Sequence, residues 1–152
     1  MLNSLHRLCD QDEVKQRLSA LAEDAEARWG RMNATQMLKH CRLVLEIPLG
    51  KISVPEPPRI LRFVGIVTKT EMKIFKNGIP RNMPTFAELR AEECTDYKTE
   101  MVDLLHTLDG YCALADVGKL PDTHPLFGKM QPKDWGFLEY KHLDHHLKQF
   151  GL

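Results

Sequence analysis

His142, His145 and His146 place three of the chain's seven histidines within five consecutive positions. If Lys141 to His146 is helical, about 100° per residue puts His142 and His146 on one face, their β-carbons roughly 6 Å apart. That spacing suits two ligands of one metal ion. His145 falls at the edge of the face and is the weaker ligand, whereas Asp144 points away from it. The zinc-protease pattern is absent, because it needs Glu directly after the first His and Leu143 stands there. Two histidines four apart also describe a pair of core residues hydrogen-bonded to backbone or to a carboxylate such as Glu139. A catalytic zinc-type site normally takes three protein ligands, so a metal requires a third from elsewhere.

The element that carries the pair is a helix from Gln131 to Phe150. Pro132 is preorganised for its first position, Asp134 adds favourable negative charge to its first turn, and Gly151 ends it. Trp135, Leu138, His142, His146 and Phe150 share one stripe, with Glu139 and Gln149 inside it, so both histidines lie on the face to be buried. Phe137, Tyr140 and Leu147 lie on the opposite face. An apolar outer face of that kind leads us to expect a fifth helix or a second subunit there, hence a homodimer.

Upstream, Val14, Leu18, Leu21, Ala22, Ala25 and Trp29 recur at helical spacing and predict an amphipathic helix over Asp12 to Trp29, broken by Gly30. Asn33 and Gln36 form a capping box that opens a second helix, Ala34 to Glu46. His40 stands at the edge of its apolar face, able to look along the core seam, and Cys41 faces the core as a packed thiol. Ile47 to Pro58, rich in proline, is a long crossing connection that allows neighbouring helices to run parallel. A third helix is expected from Arg59 to Lys76, with a strand near Ile66 to Thr68 as the alternative, and Asn77-Gly78 stops it. Ile79 to Pro84 reads as a loop. Thr85 to Glu88 forms a second capping box, opening a long helix through Phe86, Leu89, Tyr97, Met101, Leu104, Leu108 and Tyr111, with Glu93 and Glu100 on or beside its inner stripe. Ala113 to Met130 is irregular and contains His124-Pro125-Leu126-Phe127-Gly128. The fold class is all-α: a helical bundle with a long crossing connection and an extra short helical or irregular segment.

Composition narrows the partners. The 152 residues suffice for one domain with a hydrophobic core, and 21 basic residues balance 21 acidic ones. Such neutrality offers no footprint for nucleic acid or an anionic membrane, so a small molecule is the expected partner. Cys9, Cys41, Cys94 and Cys112 form no Cys-x-x-Cys pair and read as reduced thiols. No signal-like or membrane-spanning run of apolar residues is present, which points to the cytoplasm.

Bundle cores commonly hold metal sites built from facing helices, and His40 is the natural third ligand. Three histidines with an open position describe a catalytic site rather than a closed structural one. Glu139, one turn before His142, is the nearest candidate for a general base or for orienting a histidine. Imidazole ligands leave the metal open among zinc, nickel, iron and copper.

Trp29-Gly30-Arg31-Met32-Asn33-Ala34-Thr35-Gln36-Met37-Leu38-Lys39-His40-Cys41 resembles the opening of DinB-like proteins, in which a Trp-containing turn precedes the helix bearing the first metal histidine. His124 to Gly128, Trp135, and Lys141 through Gly151 resemble the C-terminal signature of a bacterial subgroup of that superfamily. The resemblance implies one domain over residues 1–152, a four-helix bundle running up-down-down-up, and a divalent ion (Zn, Ni or Fe) held by His40, His142 and His146. It also implies either a metal-dependent hydrolase or a transferase using low-molecular-weight thiols. His145 and His124 belong to the subgroup signature as an extra ligand, a substrate contact or loop structure. On this reading substrate enters beside the open metal position near the His124 loop, and Glu139 or His145 manages protons. The contrasting reading is a non-catalytic binding bundle with a polar histidine core.

Overall fold

The computed structural model describes residues 2–75, 78–83 and 85–152, and its architecture follows from how five helices satisfy their ends and bury their stripes. They are α1 (Leu8–Ser19), α2 (Ala34–Glu46), α3 (Arg59–Phe75), α4 (Tyr97–Asp116) and α5 (Pro132–Gln149). A single 3-10 turn, Ala87–Leu89, precedes α4, and a short antiparallel hairpin of β1 (Thr123–His124) and β2 (Gly128–Lys129) precedes α5.

Side-chain contacts fix the helix directions. Glu13 accepts from the Tyr140 hydroxyl at 2.9 Å and Arg17 reaches Asp144 at 3.0 Å, so α1 and α5 run the same way. Lys15 meets Asp109 at 2.7 Å while the Tyr97 hydroxyl donates to the Leu21 carbonyl at 2.7 Å, so α4 opposes α1. Trp29, just before α2, touches Gln149 at the far end of α5, and His40 meets His142, so α2 opposes α5. The order is therefore up-down-down-up over α1, α2, α4 and α5. The long segment between α2 and α4 carries the chain back along the bundle so that these two helices run parallel.

One apolar cluster fills the bundle, including Val14 and Leu18 of α1, Met37 and Leu45 of α2, Leu104 and Leu108 of α4, and Leu143 and Leu147 of α5. α2 begins as its sequence predicts. Asn33 accepts from the Gln36 amide at 2.8 Å and Gln36 returns a bond to the Asn33 amide at 3.0 Å.

Four expectations are corrected. The first helix spans Leu8–Ser19 rather than Asp12 to Trp29, because the later backbone is claimed by α5. The Arg28 amide donates to the Gln149 carbonyl at 2.7 Å and the Trp29 carbonyl accepts from the Gln149 side chain at 2.7 Å. The long helix expected from Phe86 begins only at Tyr97, capped by Asp96, which accepts from the Thr99 amide at 3.1 Å. Glu93 is thus outside it and exposed, whereas Glu100, 1% exposed, pairs with Arg42 at 3.3 Å. Residues 113–130 are less irregular than expected, since α4 runs to Asp116 and a hairpin follows. Finally, Phe137, Tyr140 and Leu147 are buried within the chain itself, so the reason for placing a second subunit on that face falls away.

α3 is helical as expected, without the alternative strand, and its last expected residue, Lys76, lies with Asn77 and Pro84 outside the described residues. No described helix is long and apolar enough to cross a membrane.

Candidate metal centre

Antiparallel packing of α2 on α5 sets His40 opposite the two turns that carry His142 and His146. The Nε2 atoms of His40 and His142 are 3.1 Å apart. Ring centroids are separated by 5.0 Å for His40–His142, 4.9 Å for His40–His146 and 4.6 Å for His142–His146. One nitrogen from each ring lies within 4.8 Å of the other two, and this is the one such group that could hold a metal ion among the described residues.

The surroundings fix the protons on two of the rings. His40 Nδ1 lies 2.8 Å from the Leu89 carbonyl, which can only accept, so Nδ1 carries the hydrogen and Nε2 presents a lone pair. His146 Nδ1 lies 2.8 Å from Gln149 Oε1. The amide is oriented by its own nitrogen, which donates to the Trp29 carbonyl at 2.7 Å, so His146 Nδ1 is again the donor. This is the outer support that metal-binding histidines usually have. His142 differs: its Nδ1 is shut off from solvent with no partner, although the residue as a whole is only half-buried.

Burial holds all three imidazoles neutral, the form that binds a cation. It lowers the pKa of His40 despite the Leu89 carbonyl, and takes His146 to about 3 with further help from His40. His142 is pushed well below its ordinary value by burial first and by the neighbouring histidines second. The donor set therefore fits a divalent ion of the imidazole-binding class.

Glu139 is buried one turn before His142, and its Oε2 also has no partner. Desolvation alone raises its pKa to about 8, so the carboxyl keeps its proton at neutral pH. Cys41 is fully buried, and burial followed by Glu139 pushes its thiol far up, as expected for a packed residue.

The other two signature histidines stand apart. His145 is half-buried, 5.0 Å from the His146 ring and 5.8 Å from the Trp29 ring, and bonds the Ile79 backbone. Burial lowers its pKa, with Arg81 a minor contributor. That guanidinium lies 4.0 Å from the centre of the Trp29 ring. His124 sits in the hairpin, where Nδ1 accepts from the Leu126 and Phe127 amides at 3.0 and 3.2 Å and the ring packs on Phe127 and Trp135. Trp135 precedes His142 by two helical turns, about 10 Å along α5. The His124 loop is therefore not the rim of the triad; Ile79 and Leu89 are. A cavity of about 660 Å³ beside His124, walled also by Lys51, Val54, Arg62 and Thr123, includes none of the three.

Sequence reasoning overlooked Leu89, Gln149 as a support, and the Trp29–Arg81 pair. Gln149 carried a usable signal, because it follows His146 by three on the same stripe. Leu89 acts through its carbonyl, which no side-chain pattern reveals.

A protein-family profile described as "Protein of unknown function (DUF1569)" matches residues 2–151. No curated protein and no solved structure matches the chain.

Proposed function

The chain belongs to the DUF1569 family of proteins of unknown function, and we propose that it is a metal-dependent enzyme whose divalent ion is held by His40, His142 and His146. The observation that carries this reading is the convergence of three neutral imidazoles, two of them with Nδ1 already committed to supporting acceptors. A polar core without a metal role accounts for the His40–His142 contact as one hydrogen bond, but not for the third ring, His146, packed against both. The superfamily proposal, DinB-like, draws support from the up-down-down-up order and from the positions of these residues on α2 and α5.

When bound, the ion supplies Lewis acidity toward a water or a small thiol. The chain supplies the rest. Cys41 is disqualified as a nucleophile by burial and a raised pKa, so the nucleophile comes from outside: water for a hydrolase, a low-molecular-weight thiol for a transferase. Glu139 holds its proton at neutral pH and so is not a general base there. Its unpaired Oε2 and the unpaired Nδ1 of His142 are complementary and one turn apart, which fits Glu139 as the group that orients His142. His145, half-buried between Trp29 and His146, would be the group to exchange a proton with a bound small molecule, a role its nearness to the His146 ring supports.

Cobalt(II) titration followed by visible absorption tests the proposal. One equivalent should develop ligand-field bands in the wild type, and His40→Ala and His146→Ala should abolish them while circular dichroism stays helical. Absence of bands in folded wild-type protein would favour the non-catalytic bundle.

A further inference from the structure

α3 wears its apolar side outward. Ile60, Phe63, Val64, Val67, Ile74 and Phe75 are between 41 and 73% exposed, although they share one face of the helix. The inner side is held in place by other means. A Cβ on Gly65 would come within 2.5 Å of the Leu126 carbonyl, so the helix docks on the hairpin through that missing side chain. Lys69 donates to the Phe127 and Lys129 carbonyls at 3.0 and 2.7 Å, and Lys73 pairs with Asp134 at 2.5 Å. Rolling α3 to hide its apolar face would break all of these contacts.

The outer face has the repeat of a helix that packs on another helix. Ile60, Val67 and Ile74 are seven apart, and Phe63 and Val64 fill the interval after Ile60. The spacing of seven is symmetric about Val67, whereas Phe63 and Val64 have Glu71 and Thr70 as their counterparts across it. The six side chains leave on the order of 700 Å² in water, near the roughly 800 Å² that each partner gives to a stable complex. A monomer seldom exposes so large a patch.

We propose that this protein is a homodimer built on α3, with two antiparallel copies of the helix related by a twofold axis at Val67, so that Ile60 of each packs on Ile74 of the other. A lipid surface is the poorer fit. An interfacial helix presents a cationic rim along its length, but here Lys69 and Lys73 are turned inward and the exposed cations, Arg59 and Arg62, lie at one end. With 21 charges of each sign, two copies do not repel.

Sedimentation velocity on the full chain tests this. At micromolar concentration the wild type should sediment at twice the 17.5 kDa subunit mass. Val67→Asp should weaken association by about 100-fold or more, as expected for the centre of an interface, with unchanged circular dichroism. In a background with Cys9→Ser and Cys94→Ser, diamide should couple Val67→Cys to itself. Ile60→Cys should couple only when mixed with Ile74→Cys. A monomeric wild type, a Val67→Asp dimer, or self-coupling of Ile60→Cys as fast as the mixture would overturn the proposal. A monomer that co-sediments with phosphatidylserine vesicles would do so in favour of a membrane.

Discussion

The three candidate ligands differ in what supports them, so their substitutions should differ as well. His40 and His146 each have a fixed Nδ1 partner, and His142 has none. If Glu139 turns to serve His142 when the metal is present, Glu139→Gln should lower zinc affinity by about 10- to 100-fold in a competition titration, whereas equal affinities would remove its orienting role. Without metal the same variant should be relatively more stable as pH rises. The folded carboxyl keeps its proton up to about 8 while the unfolded one loses it near 4.5, so the wild type pays a growing penalty between these values. His124 works in the opposite sense. Burial takes its pKa from 6.5 to about 4, so its contribution is complete above pH 6.5 and is lost as pH falls toward 4. The difference is worth roughly 3 kcal/mol at most. His124→Asn, whose Oδ1 can accept from the same two amides, should keep the hairpin and flatten the melting temperature over that range. An unchanged acid slope would remove His124 as its source. At this scale the spacing of His142 and His146 is legible in the chain. Gln149 is half-legible, and the Leu89 carbonyl is not, since its role depends on where a loop returns.

Among the helices, a local cap placed the start of α2 from sequence, but at α4 two local signals competed: the box at Thr85 to Glu88 opens only a 3-10 turn, and Asp96 caps the helix itself. Asn33 and Gln36 write the start of α2 into four residues. Asn33→Ala should cost about 1 kcal/mol in chemical denaturation. The end of α1 is set instead by Gln149 and Tyr97, more than seventy residues away. Distant partners also hold the segment before α4 out of the helix. Helical periodicity runs through residues 86–96, but the segment places the Leu89 carbonyl on His40 and the Glu93 carbonyl on Lys39. Glu100 likewise reads as an end-of-bundle acid, and only the fold shows Arg42 and Thr95 around it. Arg42→Ala leaves that carboxylate buried without its countercharge and with Thr95 as its remaining donor, so a loss of about 3 kcal/mol is expected, and a near-neutral effect would mean that water reaches it. Gly136 marks another contact invisible in the chain. Its carbonyl accepts from the Leu5 amide at 3.0 Å, and an added Cβ would collide with Ser4 and lie 2.8 Å from the His6 ring. Gly136→Ala should therefore destabilise by about 1–3 kcal/mol in spite of the better helix propensity.

Taken whole, the molecule is a bundle in which α2 and α5, the helices that carry the three histidines, lie far apart in sequence and pack together through the apolar cluster and the Trp29–Gln149 contact. Metal binding should then act as a clasp between them. Saturating zinc at about 100 times its dissociation constant adds roughly 2.7 kcal/mol to stability. Scanning calorimetry should show the wild type melting higher with zinc, reversed by chelator, and His142→Ala indifferent to both. The bundle class and helix order were legible from periodicity, the proline-rich link and the family resemblance. The outward face of α3 was not, because periodicity shows that a helix has an apolar side without showing what covers it. The central claim is tested most directly by metal content, measured by mass spectrometry on untagged protein beside His142→Ala. About one equivalent of zinc, nickel or iron in the wild type, lost in a variant that stays helical, is the expected result. No metal in either protein, even after loading with each of the three, would contradict it.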